Sequence, residues 1–159
     1  MTNINLTYLL LAATLVETIT VIFVYFKKNQ GKYIAKWYNN FRIGAFFMDV
    51  LSAMAPVLFA LFVNNNFILQ SFIIILIELA HDLTFGYFIS KYKGKSEILN
   101  IFKGYGKEGK FSILFYDQLI LISTLIFYYL FDYLKLNNYI YILTGFILFY
   151  IALMFIYSF

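Results

Sequence analysis

Residues 67–89 read FILQSFIIILIELAHDLTFGYFI, an apolar run that encloses Glu78, His81 and Asp82. At about 1.5 Å per residue a helix of this length crosses the ~30 Å hydrocarbon core of a bilayer. Within that helix Glu78, His81 and Asp82 stand at i, i+3 and i+4, which stacks them on one face as a polar stripe. An intramembrane charge costs on the order of 3 kcal/mol even on lenient insertion scales, so such a stripe is a functional-site hypothesis by default.

Four further apolar segments flank this one, at about residues 6–26, 41–63, 111–131 and 139–157. The chain of 159 residues is 63% hydrophobic, 23% aromatic and 13% charged, with a mean hydropathy of +0.80. Those values lie outside the soluble globular range. The expected fold is an all-α polytopic membrane bundle of five transmembrane helices, forming a single domain over residues 1–159. Asn64, Asn65 and Asn66 make a tight polar turn between the second and third spans. Asp132, Lys135, Asn137 and Asn138 sit in the short connection that folds the last two spans into a hairpin.

The basic residues sort by loop. Lys27, Lys28, Lys32 and Lys36 fall in loop 27–40, with Arg42 just beyond it. Lys91, Lys93, Lys95, Lys103, Lys107 and Lys110 fall in and beside loop 90–110, while Lys135 alone lies on the opposite side. The positive-inside rule then makes both basic loops cytoplasmic, with the N-terminus outside or lumenal and the C-terminus cytoplasmic. A net charge of +4 distributed this way points to anionic lipid headgroups as the partner and not to nucleic acid. Tyr33, Trp37 and Tyr38, interleaved with Lys32 and Lys36, read as an interfacial aromatic belt. In loop 90–110, Ser96 is placed to cap a short helix through Phe102. Gly104, Gly106 and Gly109 are expected to break it.

Other spans contribute charge as well: Glu17 in the first, Asp49 in the second and Asp117 in the fourth. Counted inward from the basic ends, Asp49 and Asp117 lie ~9 Å deep, Asp82 ~10 Å and His81 ~12 Å, with Glu17 and Glu78 at ~14 to 16 Å. Glu17, Asp49, Glu78, His81, Asp82 and Asp117 are therefore the candidate ion- or proton-binding residues, and Arg42 and Lys110 the candidate cytoplasmic mouth. The competing reading pairs Arg42 with Asp49, Lys110 with Asp117 and His81 with an acid, so that the charges only fix helix register. Acids outnumber bases in this layer, so some carboxyls must be protonated, hydrated or bound to a cation.

The chain has no Cys and one His, which removes thiolate metal sites, disulfides, cysteine nucleophiles and multi-histidine centres. No cofactor is required by the sequence. Glu78, His81, Asp82 and Asp117 offer the oxygen and nitrogen ligands that suit Mg, Mn or Fe, so a divalent cation is the candidate ligand. Glu78-x-x-His81 has the spacing of four-helix di-metal sites, but its second copy is missing.

His81-Asp82, Lys103-x-Tyr105, Asp117, Arg42 and Asp49 together resemble uncharacterised multi-span membrane proteins of giant DNA viruses, over about residues 37 to 125. The resemblance implies a multi-pass protein of a viral internal membrane or of host membranes during infection, and brings no activity with it.

Three functions fit these residues. The first is a small membrane protein that binds or conducts protons or cations through the acidic and His cluster, with His81 as relay. Five spans make a thin bundle, so a conducting path calls for a homo-oligomer. The second is a structural or assembly protein of a membrane. The third is a membrane-embedded metal-dependent enzyme acting on lipid. Neither an alcohol-phosphatidyltransferase aspartate motif nor a hydrolytic Ser and His pair is visible, so no catalytic residue is assigned and enzyme ranks last.

Overall fold

Asn5 opens the first helix by accepting the backbone N–H groups of Thr7 and Tyr8 at 3.0 and 3.4 Å. Such a cap satisfies donors that have no partner inside the helix. The computed structural model describes residues 4–27, 31–109, 111–135 and 137–159. Within them the chain is helical throughout: α1 (Leu6–Phe26), α2 (Lys32–Phe41), α3 (Ile43–Val63), α4 (Phe67–Lys91), α5 (Glu97–Gly109), α6 (Phe111–Leu134) and α7 (Asn138–Ile156). Five of these, α1, α3, α4, α6 and α7, are long and apolar enough to cross a membrane, and they fall on the five expected segments. This is the architecture of a multi-pass integral membrane protein.

The turns follow from the polar residues between segments. Asn66 accepts from Ile68 N and Leu69 N to cap α4, and Asn137 accepts from Tyr139 N to cap α7. Lys135 leaves α6 with φ 44, the left-handed conformation that commonly ends a helix. Arg42 joins α2 to α3 with φ 51, and its guanidinium Nη1 donates to the Ile156 carbonyl at 3.2 Å while lying over the Tyr157 ring. That bond brings the end of α7 beside the α2–α3 junction, so the five long helices alternate in direction between a basic end and an asparagine-rich end.

The most central helix is α1, packed against α2, α3, α6 and α7. Small residues let the backbones approach: Ala12 and Ala13 of α1, and Ala45, Ala53 and Ala60 of α3, are all buried. Large apolar side chains such as Phe62, Ile68, Tyr133 and Phe146 stay exposed on the outside of the bundle, as helices facing lipid tails require.

Two expectations for the basic loops are corrected. Loop 27–40 holds a helix, α2, and α5 does not break at its glycines but continues to Gly109. The physical reason is that α2 and α5 pack on each other. Tyr33 of α2 lies where a Cβ on Gly104 would be, so glycine is what permits the close approach. Trp37 of α2 sits against the Phe102 ring of α5 at 5.1 Å. Glu97 accepts from Asn40 Nδ2 at 2.7 Å, and Glu108 accepts the backbone N–H groups of Lys32 and Tyr33, each at 3.1 Å. Gly31, at the N-cap position of α2, has no side chain to cap with, so Glu108 does that work from the neighbouring helix. Replacing Glu108 by Ala is expected to cost α2 about 1 kcal/mol. Faster hydrogen exchange confined to the first turn of α2 is the signature, and unchanged exchange there would show the cap to be dispensable.

Candidate functional site

A cavity of about 2140 Å³ opens between α1, α2, α3, α4, α5 and α6. Glu17, Asp49, Glu78, His81, Asp82 and Asp117 all line it, so the residues singled out on four separate spans do converge on one space. Its mouth lies at the basic end, at Gly31, Lys27 and Lys107, and its lining reaches inward as far as Phe59 of α3 and Ile77 of α4. From the start of α3 to Phe59 is ~24 Å along the helix axis. Beyond these residues the bundle is filled by buried Ala60, Leu61, Ile74 and Leu125. Gln70, also buried there, donates to Asn64 O at 2.6 Å and accepts from Tyr129 Oη at 2.7 Å. The described residues thus outline a vestibule with one closed end.

Helix spacing brings Glu78, His81 and Asp82 to one patch of the wall. His81 Nδ1 lies 3.3 Å from Asp82 Oδ1 and 3.9 Å from Glu78 Oε1. One donor atom from each of the three falls within 4.8 Å of the others, which is the spacing of ligands around a single metal ion. Asp117, the fourth candidate ligand, lines the cavity from α6 but stands outside that group of three. The His81 side chain is 60% exposed and its ring stacks on Phe85 at 5.6 Å. The second oxygen of Asp82 is buried without a hydrogen-bond partner among the described residues.

At the basic end, the roof helix α2 reaches the other acids. Trp37 Nε1 donates to Asp49 Oδ2 at 2.9 Å, and Tyr38 Oη donates to Glu17 Oε1 at 2.5 Å. The Tyr38 hydroxyl also faces Asp49. Glu17 is 2% exposed and Tyr38 1%, so this contact is closed to solvent. Asp117 has neither a hydrogen bond nor an ion pair among the described residues. Burial first, then the Asp49 and Glu17 carboxyl groups, hold the Tyr38 phenol well above the usual tyrosine range. Tyr105 of α5 is shifted in the same direction by burial and by Asp117, Asp49, Asp82 and Glu108. Both phenols therefore stay protonated, and Tyr38 donates to Glu17.

The expected mouth is not formed as read from the sequence. Arg42 is turned toward Ile156 and Tyr157, does not line the cavity, and makes no pair with Asp49. Lys110 lies outside the described residues. Lys27, Lys103 and Lys107 line the basic end instead, with Lys103 Nζ held by the Tyr92 carbonyl at 2.7 Å.

Trp37, Tyr38, Tyr105 and Glu108 are among the lining residues that the sequence does not mark as part of the site. Trp37 and Tyr38 are no interfacial belt, since they are buried over the acids. Their signal was present, because Ile34, Trp37, Tyr38 and Phe41 stand at i, i+3, i+4 and i+7, the spacing of one helix face. No protein-family profile, curated protein or solved structure matches the chain.

Proposed function

We propose that the cavity binds cations, with Glu78, His81 and Asp82 as one ligand patch and Asp49, Asp117 and Glu17 as the charge that attracts them. The observation that carries this reading is the placement of six carboxyl groups, Glu108 and the five within the spans, around one space in which the sole ion-pair partner among the described residues is His81. Carboxylates and imidazole suit Mg, Mn or Fe better than a soft metal. The closed end favours a binding site, or one face of a carrier, over an open conduit. The basic end faces the cytoplasm in this reading, in keeping with the positive-inside rule and with anionic headgroups around Lys27, Lys32, Lys36 and Lys107. The resemblance to giant-virus proteins supports a viral or host membrane as its location.

Purified protein in neutral-lipid nanodiscs should bind Mn2+ saturably, and Glu78→Gln with Asp82→Asn should weaken that binding by about a hundredfold, as loss of two ligands implies. Equal Mn2+ binding by parent and variant would remove the ligand patch from the reading.

A second reading is favoured for two residues. The Trp37–Asp49 and Tyr38–Glu17 hydrogen bonds tie α2 to α3 and α1, which is the geometry of a register device. Glu17 and Asp49 serve both roles here, since they line the cavity and hold its roof.

A further inference from the structure

Charge alone does not describe this cavity. Its volume of about 2140 Å³ is well beyond what a hydrated metal ion occupies. It also exceeds the roughly 300–1,000 Å³ of ordinary small-ligand pockets. Most of its wall is apolar, with Phe23, Met48, Phe59, Leu83 and Leu119 among the lining residues. Those same five side chains are 46%, 60%, 55%, 67% and 47% exposed. A wall residue that is also half exposed within a membrane span marks a place where the cavity opens sideways to lipid. The basic end, by contrast, carries Lys27, Lys103 and Lys107 together with Glu108.

Among the described residues, Glu17, Asp49 and Asp117 have no ion-pair partner. Glu17 is 2% exposed and its partner is the neutral Tyr38 hydroxyl, while Asp117 has no partner among the described residues. A ligand that answers these features carries its positive charge on an apolar chain and arrives through the bilayer. We infer that the cavity takes an amphipathic organic cation, a long-chain primary amine whose ammonium sits among Asp49, Asp117 and Glu17 beneath Trp37 and whose chain lies along the apolar wall toward the lateral opening. This inference rests on the cation-binding reading and names the substrate class of that same site. An ammonium has three donors for carboxylate oxygens and is attracted to aromatic faces, and Trp37 is flanked by Phe41 and Phe102 at 4.9 and 5.1 Å.

Trp37 is the single tryptophan of the chain, so its fluorescence reports on the site without labelling. Protein in phosphatidylcholine nanodiscs would be titrated with dodecylamine, with dodecanol and dodecyl sulfate as neutral and anionic amphiphiles of equal chain length, and with Mn2+. The expected result is a saturable change in Trp37 emission with dodecylamine that the other two amphiphiles do not produce. Asp117→Asn should weaken dodecylamine binding by about tenfold or more, the usual scale for removing one partner of a buried charge pair. Equal responses to dodecanol and dodecylamine, or an unchanged affinity in Asp117→Asn, would overturn the inference. A response to Mn2+ with none to dodecylamine would overturn it while leaving cation binding intact. Silence to both Mn2+ and dodecylamine would overturn the two together.

Discussion

Replacing Tyr38 by Phe is expected to lower the melting temperature by about 5–10 °C. The hydroxyl is the hydrogen-bond partner of Glu17, whose carboxyl group is 2% exposed. A hydrogen bond of this kind contributes about 0.5–1.5 kcal/mol net, and a buried acceptor left without its donor loses about 1–3 kcal/mol of desolvation. In a chain of this size each kcal/mol shifts the midpoint by about 2–4 °C. The test is a double-mutant cycle. Glu17→Leu combined with Tyr38→Phe removes both polar groups, and the pair should recover most of the stability that Tyr38→Phe loses alone. A Tyr38→Phe protein that melts with the parent would show that the Tyr38–Glu17 contact contributes nothing to packing.

Neutralising Asp117 is expected to act with the opposite sign. Asp117 lies in a span, lines the cavity and has no hydrogen-bond or ion-pair partner among the described residues, so none of these offsets the cost of removing its carboxyl group from water. Asp117→Asn should therefore raise stability by about 1 kcal/mol, or about 2–4 °C in midpoint, while weakening cation binding at least tenfold. Gain of stability with loss of binding is the mark of a residue kept for its ligand. A fall in midpoint without change in binding would assign Asp117 to packing instead. Paired with the Tyr38 result, the signs separate the acids that hold the bundle from those that serve the cavity.

The spans were legible because each is long, apolar and bounded by Asn, Lys or Gly, and a bilayer permits few other structures for such a sequence. Helical rise alone put Asp49, Asp117, Asp82 and His81 in one layer with Glu17 and Glu78 nearer the midplane, and all six line one cavity. The partners of those acids were not legible. Reading Arg42 as the mouth cation assumed a straight helix from residue 41, whereas the turn at Arg42, with φ 51, swings the guanidinium toward α7. Trp37 and Tyr38 were assigned to the interface because aromatics beside lysines usually lie there. Their helical spacing was passed over. The glycines of α5 read as breaks because intrinsic propensity disfavours them, yet Gly104 is the seat for Tyr33, a tertiary contact that no local pattern encodes.

The central position of α1 also bears on how the chain is made. It leaves the ribosome before the other long helices described, yet its neighbours α6 and α7 follow last among them. At roughly 5–20 residues per second, α1 waits on the order of ten seconds for α7. During that interval Glu17 has no Tyr38 roof until α2 follows, and the small-residue face of α1 meets lipid or the insertion machinery in place of its partners. Assembly is thus a matter of holding an incomplete core open for its closing helices, and the early arrival of α2 is what first shelters the buried acid.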